Sequence, residues 1–314
     1  MKVPVPTVQL LRCPACHTPL RKEADALICG SGHTHPIVDG VAILINEASS
    51  VFNVADYATA RHQHEQSRPD SWLRRLRARL PSLSANYHSE ENYADLARLL
   101  AERGDKPRVL VLGGRILGQG MKPLADIANL ELIESDVAFG PRVKMICDAH
   151  DIPFQDGSLD GIIIQAVLEH VCDPWRCVQE IHRVLKPDGL VYAETPFMQQ
   201  VHGRAWDFTR FTDLGHRRLF RHFTEIRRGV CCGPGMALAW SFQYFLLSFT
   251  TRRWLRSLIR VGTEAGTFWL KYLDRFVIDT PGCYEAASGY YFLGKKAATP
   301  LPDRELVQLW RGMV

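Results

Sequence analysis

The chain has 314 residues, of which 46% are hydrophobic and 23% charged, with a formal net charge of +4. This fits a globular protein with room for more than one domain, and the charge is too modest to imply a nucleic-acid partner by itself. Nine cysteines, several standing alone, and an opening Met1-Lys2-Val3-Pro4-Val5-Pro6 without an apolar export core predict a reducing, cytoplasmic setting.

In chain order, the first motif is Cys13-Pro14-Ala15-Cys16, then Cys29 and His33, with spacing C-x2-C-x12-C-x3-H. Two thiolate-bearing turns on a short hairpin bring four ligands round a tetrahedral ion, the geometry of structural Zn2+. Cys13, Cys16 and Cys29 are three of the candidate ligands; His33 is the fourth, with His35 as its alternative. Residues 1–46 are expected to form a zinc-ribbon domain with little core of its own, so metal would supply most of its folding free energy, on the order of 10 kcal/mol for such peptides. The ligand spacing resembles the zinc ribbon of bacterial ribosomal RNA guanine-N1 methyltransferases. Pro36-Ile37-Val38-Asp39-Gly40-Val41 with Leu44 resembles instead the zinc modules related to methyltransferase activator subunits. Those usually have a fourth cysteine, near the place of Gly32 here.

Residues 47–104 read as a helical connector. Within it, residues 72–80 space apolar side chains three and four apart with arginines between, before Pro81 ends the pattern. That basic face could meet RNA or simply water. His62, His64 and His88 have no spacing that argues for metal. A helix over residues 90–102 leads into the next segment.

Residues 105–296 alternate short apolar runs with helical patterns, which predicts βαβ units and a parallel sheet covered on both faces. Strands are expected at 109–112, 130–134, 143–147, 161–164, 190–194, 223–228 and 289–294. Ligands of such sheets bind at the carboxyl ends of the strands. Gly113 and Gly114, with Gly118 beyond, form a turn that lets backbone approach a ligand closely. Asp136, after the second strand, can take two ribose hydroxyls, and Asp148, after the third, can accept from an exocyclic amine. Together they meet the demands of an adenosyl ligand.

The run Asp148-Ala149-His150-Asp151-Ile152-Pro153-Phe154, Asp156-Gly157-Ser158-Leu159-Asp160, Leu168-Glu169-His170-Val171 and Arg183-Val184-Leu185-Lys186-Pro187-Asp188-Gly189 resembles the class I S-adenosylmethionine-dependent methyltransferases. Within them it is similar to the branch of ubiquinone and menaquinone C-methyltransferases. The resemblance implies a Rossmann-like, seven-stranded α/β sheet and S-adenosylmethionine held by Gly113, Gly114, Gly118, Asp136, Asp148, Ala149 and Gln165. Two departures stand out. Leu112 occupies the place of a usual acidic residue, and the glycine turn is about two residues longer than usual.

Loops after strands four and five should line the acceptor site. His202, with Asp207 close enough in sequence to orient it, is the leading candidate for a catalytic base, and His170 is the second. The bland alternatives are that His170 packs near the cofactor and that Asp207 with Arg210 fixes the loop. Residues 232–284 are an insertion before the last strand. Its apolar run, 236–249, is shorter than the roughly 20 residues a membrane span needs. It is expected to be a helical lid that also self-associates into a homodimer, with peripheral membrane contact as the alternative. Residues 297–314 form a tail with a short helix.

These features predict a methyltransferase acting on a small-molecule or lipid- or glycan-linked acceptor. An RNA base is the alternative acceptor, disfavoured by the modest charge. A non-catalytic subunit that kept the fold is a third reading.

Overall fold

A computed structural model describes residues 1–59, 81–104 and 106–313. The arginine-bearing stretch 72–80, His62 and His64 lie outside the described residues.

The N-terminal part holds α1 (Val5–Val8), β1 (Leu20–Glu23), β2 (Ala26–Cys29), β3 (Thr34–Val38), β4 (Val41–Leu44) and α2 (Val54–Thr59). Next come α3 (Ser89–Ala101), β5 (Arg108–Leu112), α4 (Lys122–Ala125), β6 (Glu131–Asp136), β7 (Met145–Cys147) and β8 (Leu159–Gln165). They are followed by α5 (Pro174–Val184), β9 (Leu185–Pro196), α6 (Asp213–Leu219) and β10 (Phe223–Cys232). The insertion supplies α7 (Pro234–Leu247), α8 (Arg253–Thr267), α9 (Leu270–Val277) and α10 (Cys283–Ala286), before β11 (Gly289–Lys296) and α11 (Asp303–Leu306).

Among the described residues the strands form one sheet in the order β1-β2-β3-β4-β7-β6-β5-β8-β9-β11-β10. The stretch from β7 to β10 is the seven-stranded part expected, with β7, β6, β5, β8 and β9 parallel and β11 antiparallel to β9. The chain leaves β5 toward β6 on one side and later returns to β8 on the other. That reversal makes the switch-point crevice where such sheets bind ligands.

The sheet has 11 strands rather than seven, because the N-terminal module joins it edge to edge. β4 pairs in parallel with β7, Ala42 opposite Met145 and Leu44 opposite Cys147. Nor does the module have a core apart. Leu11, Leu20, Leu27 and Leu44 pack in one buried cluster with Leu110, Ile133, Phe154 and Ile162. Arg12 adds a polar tie, its guanidinium 3.6 Å from Asp151 and 3.5 Å from Glu180.

The motif 183–189 turns out to hold the frame. α5 starts where Asp173 accepts from the amide of Arg176 and Pro174 occupies its first turn. It buries Cys177, Val178, Ile181 and Val184 at helical spacing. From its last turn Arg183 donates to the carbonyls of Phe154 and Ile152 and to Glu180 and Asp156, all at 2.7 Å. Lys186 meets Asp160 at 2.9 Å. These residues fasten the loop after β7 to the helix behind the sheet.

The insertion is helical, as expected, and no described helix is long and apolar enough to cross a membrane. Asp274 on α9 accepts from the amides of Gly235 and Met236 at 2.6 and 3.1 Å, capping the start of α7.

His216 lies on α6 in the core. It packs edge-on against Phe220 and Phe292. Burial, with Arg228 and Arg217 adding, depresses its pKa from 6.5 to about 3. The folded state keeps it neutral while the unfolded chain protonates below about 6.5. Stability is therefore present above that pH and is lost as pH falls toward the folded value, by up to about 1.4 kcal/mol per unit. Denaturant melts at pH 7 and pH 5 should differ by about 2 kcal/mol through this group. His216→Asn should flatten the slope by that amount; a slope that does not change would assign it elsewhere.

Candidate functional site

A cavity of about 570 Å³ opens at the carboxyl ends of β5, β6, β7 and β8. Gly113 ends β5 with φ +80°, and a Cβ there would come within 2.4 Å of the Val167 side chain. Glycine is therefore needed for both conformation and approach. Gly118 is equally tight, since a Cβ would come within 2.0 Å of Gln165 Oε1. Gly113, Gly118, Asp136, Asp148, Ala149 and Gln165 all line the cavity. Gly114 does not; it packs against Glu134 on β6, where a Cβ would stand 2.9 Å from that side chain. Its role is to let the turn lie on the neighbouring strand.

Asp136 accepts from the amides of Ala138 (3.0 Å) and Arg115 (3.2 Å), which fixes the carboxylate at the end of β6. Burial raises its pKa against the pull of those amides. Asp148 accepts from the Ser50 hydroxyl at 2.5 Å and from the His150 amide and ring at 3.0 and 2.6 Å. Burial pushes its pKa up, but those hydrogen bonds outweigh it and the carboxyl stays below its usual range. Ser50, Val51 and Phe52 were not singled out in the sequence. Val51 and Phe52 line the cavity, and Phe52 stacks on Trp206 with ring centroids 5.3 Å apart.

A buried polar cluster forms the inner wall. Gln165 donates to Glu194 at 2.8 Å and accepts from Tyr93 at 3.1 Å; Asn86 donates to both Glu194 oxygens at 2.9 Å. Tyr192 donates to the same carboxylate. Burial raises the Glu194 carboxyl, with its donors opposing. Only Gln165 of this set was legible beforehand, because Tyr93, Tyr192 and Glu194 lie on helix or strand positions that read as ordinary core and Asn86 lies on a loop outside any motif.

At the outer rim His170 and His202 meet, ring centroids 4.8 Å apart, beside the carboxylate of Glu169. The Nε2 atoms stand 3.7 Å (His170) and 3.6 Å (His202) from Glu169 Oε1. Glu169 raises the His202 pKa, against burial. Asp207 is otherwise engaged. It ion-pairs with Arg210 and accepts from the amides of His202 (2.7 Å) and Gly203 (3.1 Å). Burial opposes, but these partners hold its carboxyl well below the usual range. Its oxygen is 3.6 Å from His202 Nδ1, beyond a hydrogen bond, whereas the Gln200 carbonyl lies at 3.2 Å from that nitrogen. The ring is thus oriented by backbone, while Asp207 secures the loop that carries it. The insertion covers this loop: Gln200 donates to Ser241 at 2.9 Å, Tyr244 to the Val201 carbonyl at 3.2 Å, and Met236 reaches the cavity.

The cysteine motif converges at the far edge of the sheet. Cys16 and Cys29 sulfurs are 3.5 Å apart, and His33 Nδ1 lies 3.4 Å from Cys29 and 3.7 Å from Cys13. Ligands about 2.0–2.3 Å from a tetrahedral zinc stand roughly 3.4–3.8 Å from one another, so the donor set fits that ion. His33 joins all three thiols in one cluster. His35 is buried beside Cys13, its Nε2 at 3.3 Å from that sulfur alone. Gly32 has φ +85° and turns the chain so that its amide meets the Cys29 carbonyl.

Sheet order, glycine turn and paired carboxylates define a doubly wound α/β protein with a nucleoside-sized crevice at its switch point. Residues 121–193 match the family model described as a methyltransferase domain. An uncharacterized 37.1 kDa protein in transposon TN4556 of Streptomyces fradiae is 35% identical over 96 residues, 29% of this chain and 26% of the relative. An uncharacterized methyltransferase of Mycobacterium sp. (strain JLS) is 38% identical over 75 residues, 24% of this chain and 29% of the relative. The matched segments span less than a third of either relative. The Haemonchus contortus phosphoethanolamine N-methyltransferase 2, solved with S-adenosyl-L-methionine, is 17% identical with a TM-score of 0.41 over 68% of this chain and 54% of its own.

Proposed function

We propose that this protein is an S-adenosylmethionine-dependent methyltransferase acting on a small-molecule or lipid- or glycan-linked acceptor, with a structural zinc in its N-terminal module. The observation that carries it is Asp136 and Asp148, held by donors at adjacent strand ends, on one cavity with Gly113 and Gly118. Asp136 would bind ribose hydroxyls, Asp148 and Ala149 the adenine edge, and the 113–118 turn the methionine end. When bound, the cofactor supplies a methyl group on a sulfonium. The chain's own part is chiefly to hold donor and acceptor in line, an effect worth up to roughly 7 to 11 kcal/mol in favourable cases. His202, whose raised pKa favours holding a proton, is the group we assign to take one from an acceptor, with His170 beside it. Asp207 serves by fixing the loop.

The aromatic side chains that the insertion exposes, Phe245, Phe249, Trp254 and Phe276, favour an apolar or lipid-linked acceptor over RNA. RNA would call for a broad basic surface. Cys13, Cys16, Cys29 and His33 would hold the zinc.

The test is transfer of radiolabelled methyl from S-adenosylmethionine into host-cell extract, split into RNA, organic-soluble and small polar fractions. Label is expected in the organic or small polar fraction. Label in RNA that ribonuclease releases would replace this acceptor with a nucleic acid. No label in any fraction, with no cofactor binding, would leave a binding subunit.

A further inference from the structure

We propose that Glu169, His170 and His202 form a second metal site, for a divalent first-row transition cation, at the rim of the cavity. Their ligand atoms lie within 4.8 Å of one another. Glu169 is 1% exposed, and its Oε2 has no hydrogen-bond partner among the described residues. A buried carboxylate oxygen left so is costly unless a cation or donor meets it.

The imidazoles are set up as ligands. His170 Nδ1 is 2.5 Å from the Trp206 carbonyl, and His202 Nδ1 is 3.2 Å from the Gln200 carbonyl. A carbonyl can only accept, so each Nδ1 carries a proton and Nε2 is the atom left to meet a metal; His202 Nε2 can hold either that ion or a proton, so the base role assigned to it belongs to the metal-free protein. Outer partners of this kind fix the tautomer of metal-bound histidines. Both Nε2 atoms face Glu169 Oε1 at 3.6 and 3.7 Å, too far for a hydrogen bond. Ligands about 2.0–2.2 Å from one tetrahedral ion stand roughly 3.3–3.6 Å apart, close to this spacing.

Two imidazoles and a carboxylate suit zinc, iron, cobalt or nickel better than the calcium and magnesium that prefer all-oxygen shells. Three protein ligands leave positions for water or a bound molecule. His170 also lines the cavity, which puts those positions at its mouth. The thiolate cluster is separate, built from residues 13–33 around β1 and β2 at one end of the sheet order, whereas Glu169, His170 and His202 follow the interior strands β8 and β9.

The full-length protein, purified with zinc in its thiolate site, is titrated with Co2+ and followed by calorimetry and visible absorption. One further equivalent is expected, with ligand-field bands and no sulfur-to-metal charge transfer. Glu169→Gln, which keeps the side-chain shape, and the double variant His170→Ala/His202→Ala should each bind about 100-fold more weakly, at the upper end of what losing even an outer partner costs. Far-UV circular dichroism checks that each variant folds, and Glu169→Gln decides the matter if the double variant does not. No further equivalent in the wild type, or undiminished binding by Glu169→Gln, would overturn the site and leave an ion pair between protonated His202 and Glu169. The readout needs neither S-adenosylmethionine nor an acceptor, so it stands apart from the methyl-transfer reading.

Discussion

Cys29→Ser is expected to lower the unfolding midpoint of the whole chain, not of the N-terminal module alone. In isolated peptides a structural zinc contributes on the order of 10 kcal/mol to folding. Here the module shares its apolar interior with the sheet: Leu11, Leu20, Leu27 and Leu44 lie in one cluster with Leu110, Phe154 and Ile162, and β4 is bonded to β7. Loosening the ligands therefore uncovers the edge and the core of the sheet together. At about 2–4 °C per kcal/mol for a domain of 150–250 residues, even a loss of about 3 kcal/mol would move the midpoint by roughly 6–12 °C. Tryptophan emission is a clean reporter, because residues 1–59 contain no tryptophan. A single tryptophan transition should coincide with zinc release measured by a chromogenic chelator. Zinc release well before a tryptophan transition that keeps its wild-type midpoint would make the module an independent unit.

Asp136→Ala should weaken S-adenosylmethionine binding by about 100-fold or more. Two hydroxyls donating to a charged carboxylate contribute roughly 1.5–3 kcal/mol each, and every 1.4 kcal/mol is about tenfold in affinity. The alanine also removes the acceptor for the amides of Arg115 and Ala138, so the loop would loosen. Asp136→Asn separates the two effects: it keeps one acceptor oxygen for the loop but loses charge, and should fall between wild type and alanine. Calorimetric titration decides. Wild-type affinity in the alanine variant would sink the placement of the ribose at β6.

Local regularity is why so much of the fold was legible. Strands buried on both faces read as continuous apolar runs, such as Ile162-Ile163-Ile164, whatever lies beyond them. The β7-to-β10 sheet, α3 and the helical insertion were accordingly read close to their observed bounds. Carboxylates at strand ends were legible for the same reason, since their place follows from where the run stops. The segment 152–156 with 183–189 was legible too, but its chemistry was not: Arg183 and Lys186 prove to be fasteners.

What the sequence determined by itself is the local chemistry: the strand and helix periods, the glycine turn, Asp136 and Asp148, and four metal-type ligands at ribbon spacing. What only the tertiary structure decided is long-range company. It joined β4 to β7, so that a segment read as a separate ribbon became the edge of an 11-stranded sheet. It placed Ser50 on Asp148 across 98 positions, and it brought Glu169 and His170 to His202. It also turned Asp207 to Arg210 and sent His216 into the core. Side-chain partners distant in the chain are chosen by which surfaces pack together, and no periodicity in the sequence encodes that choice.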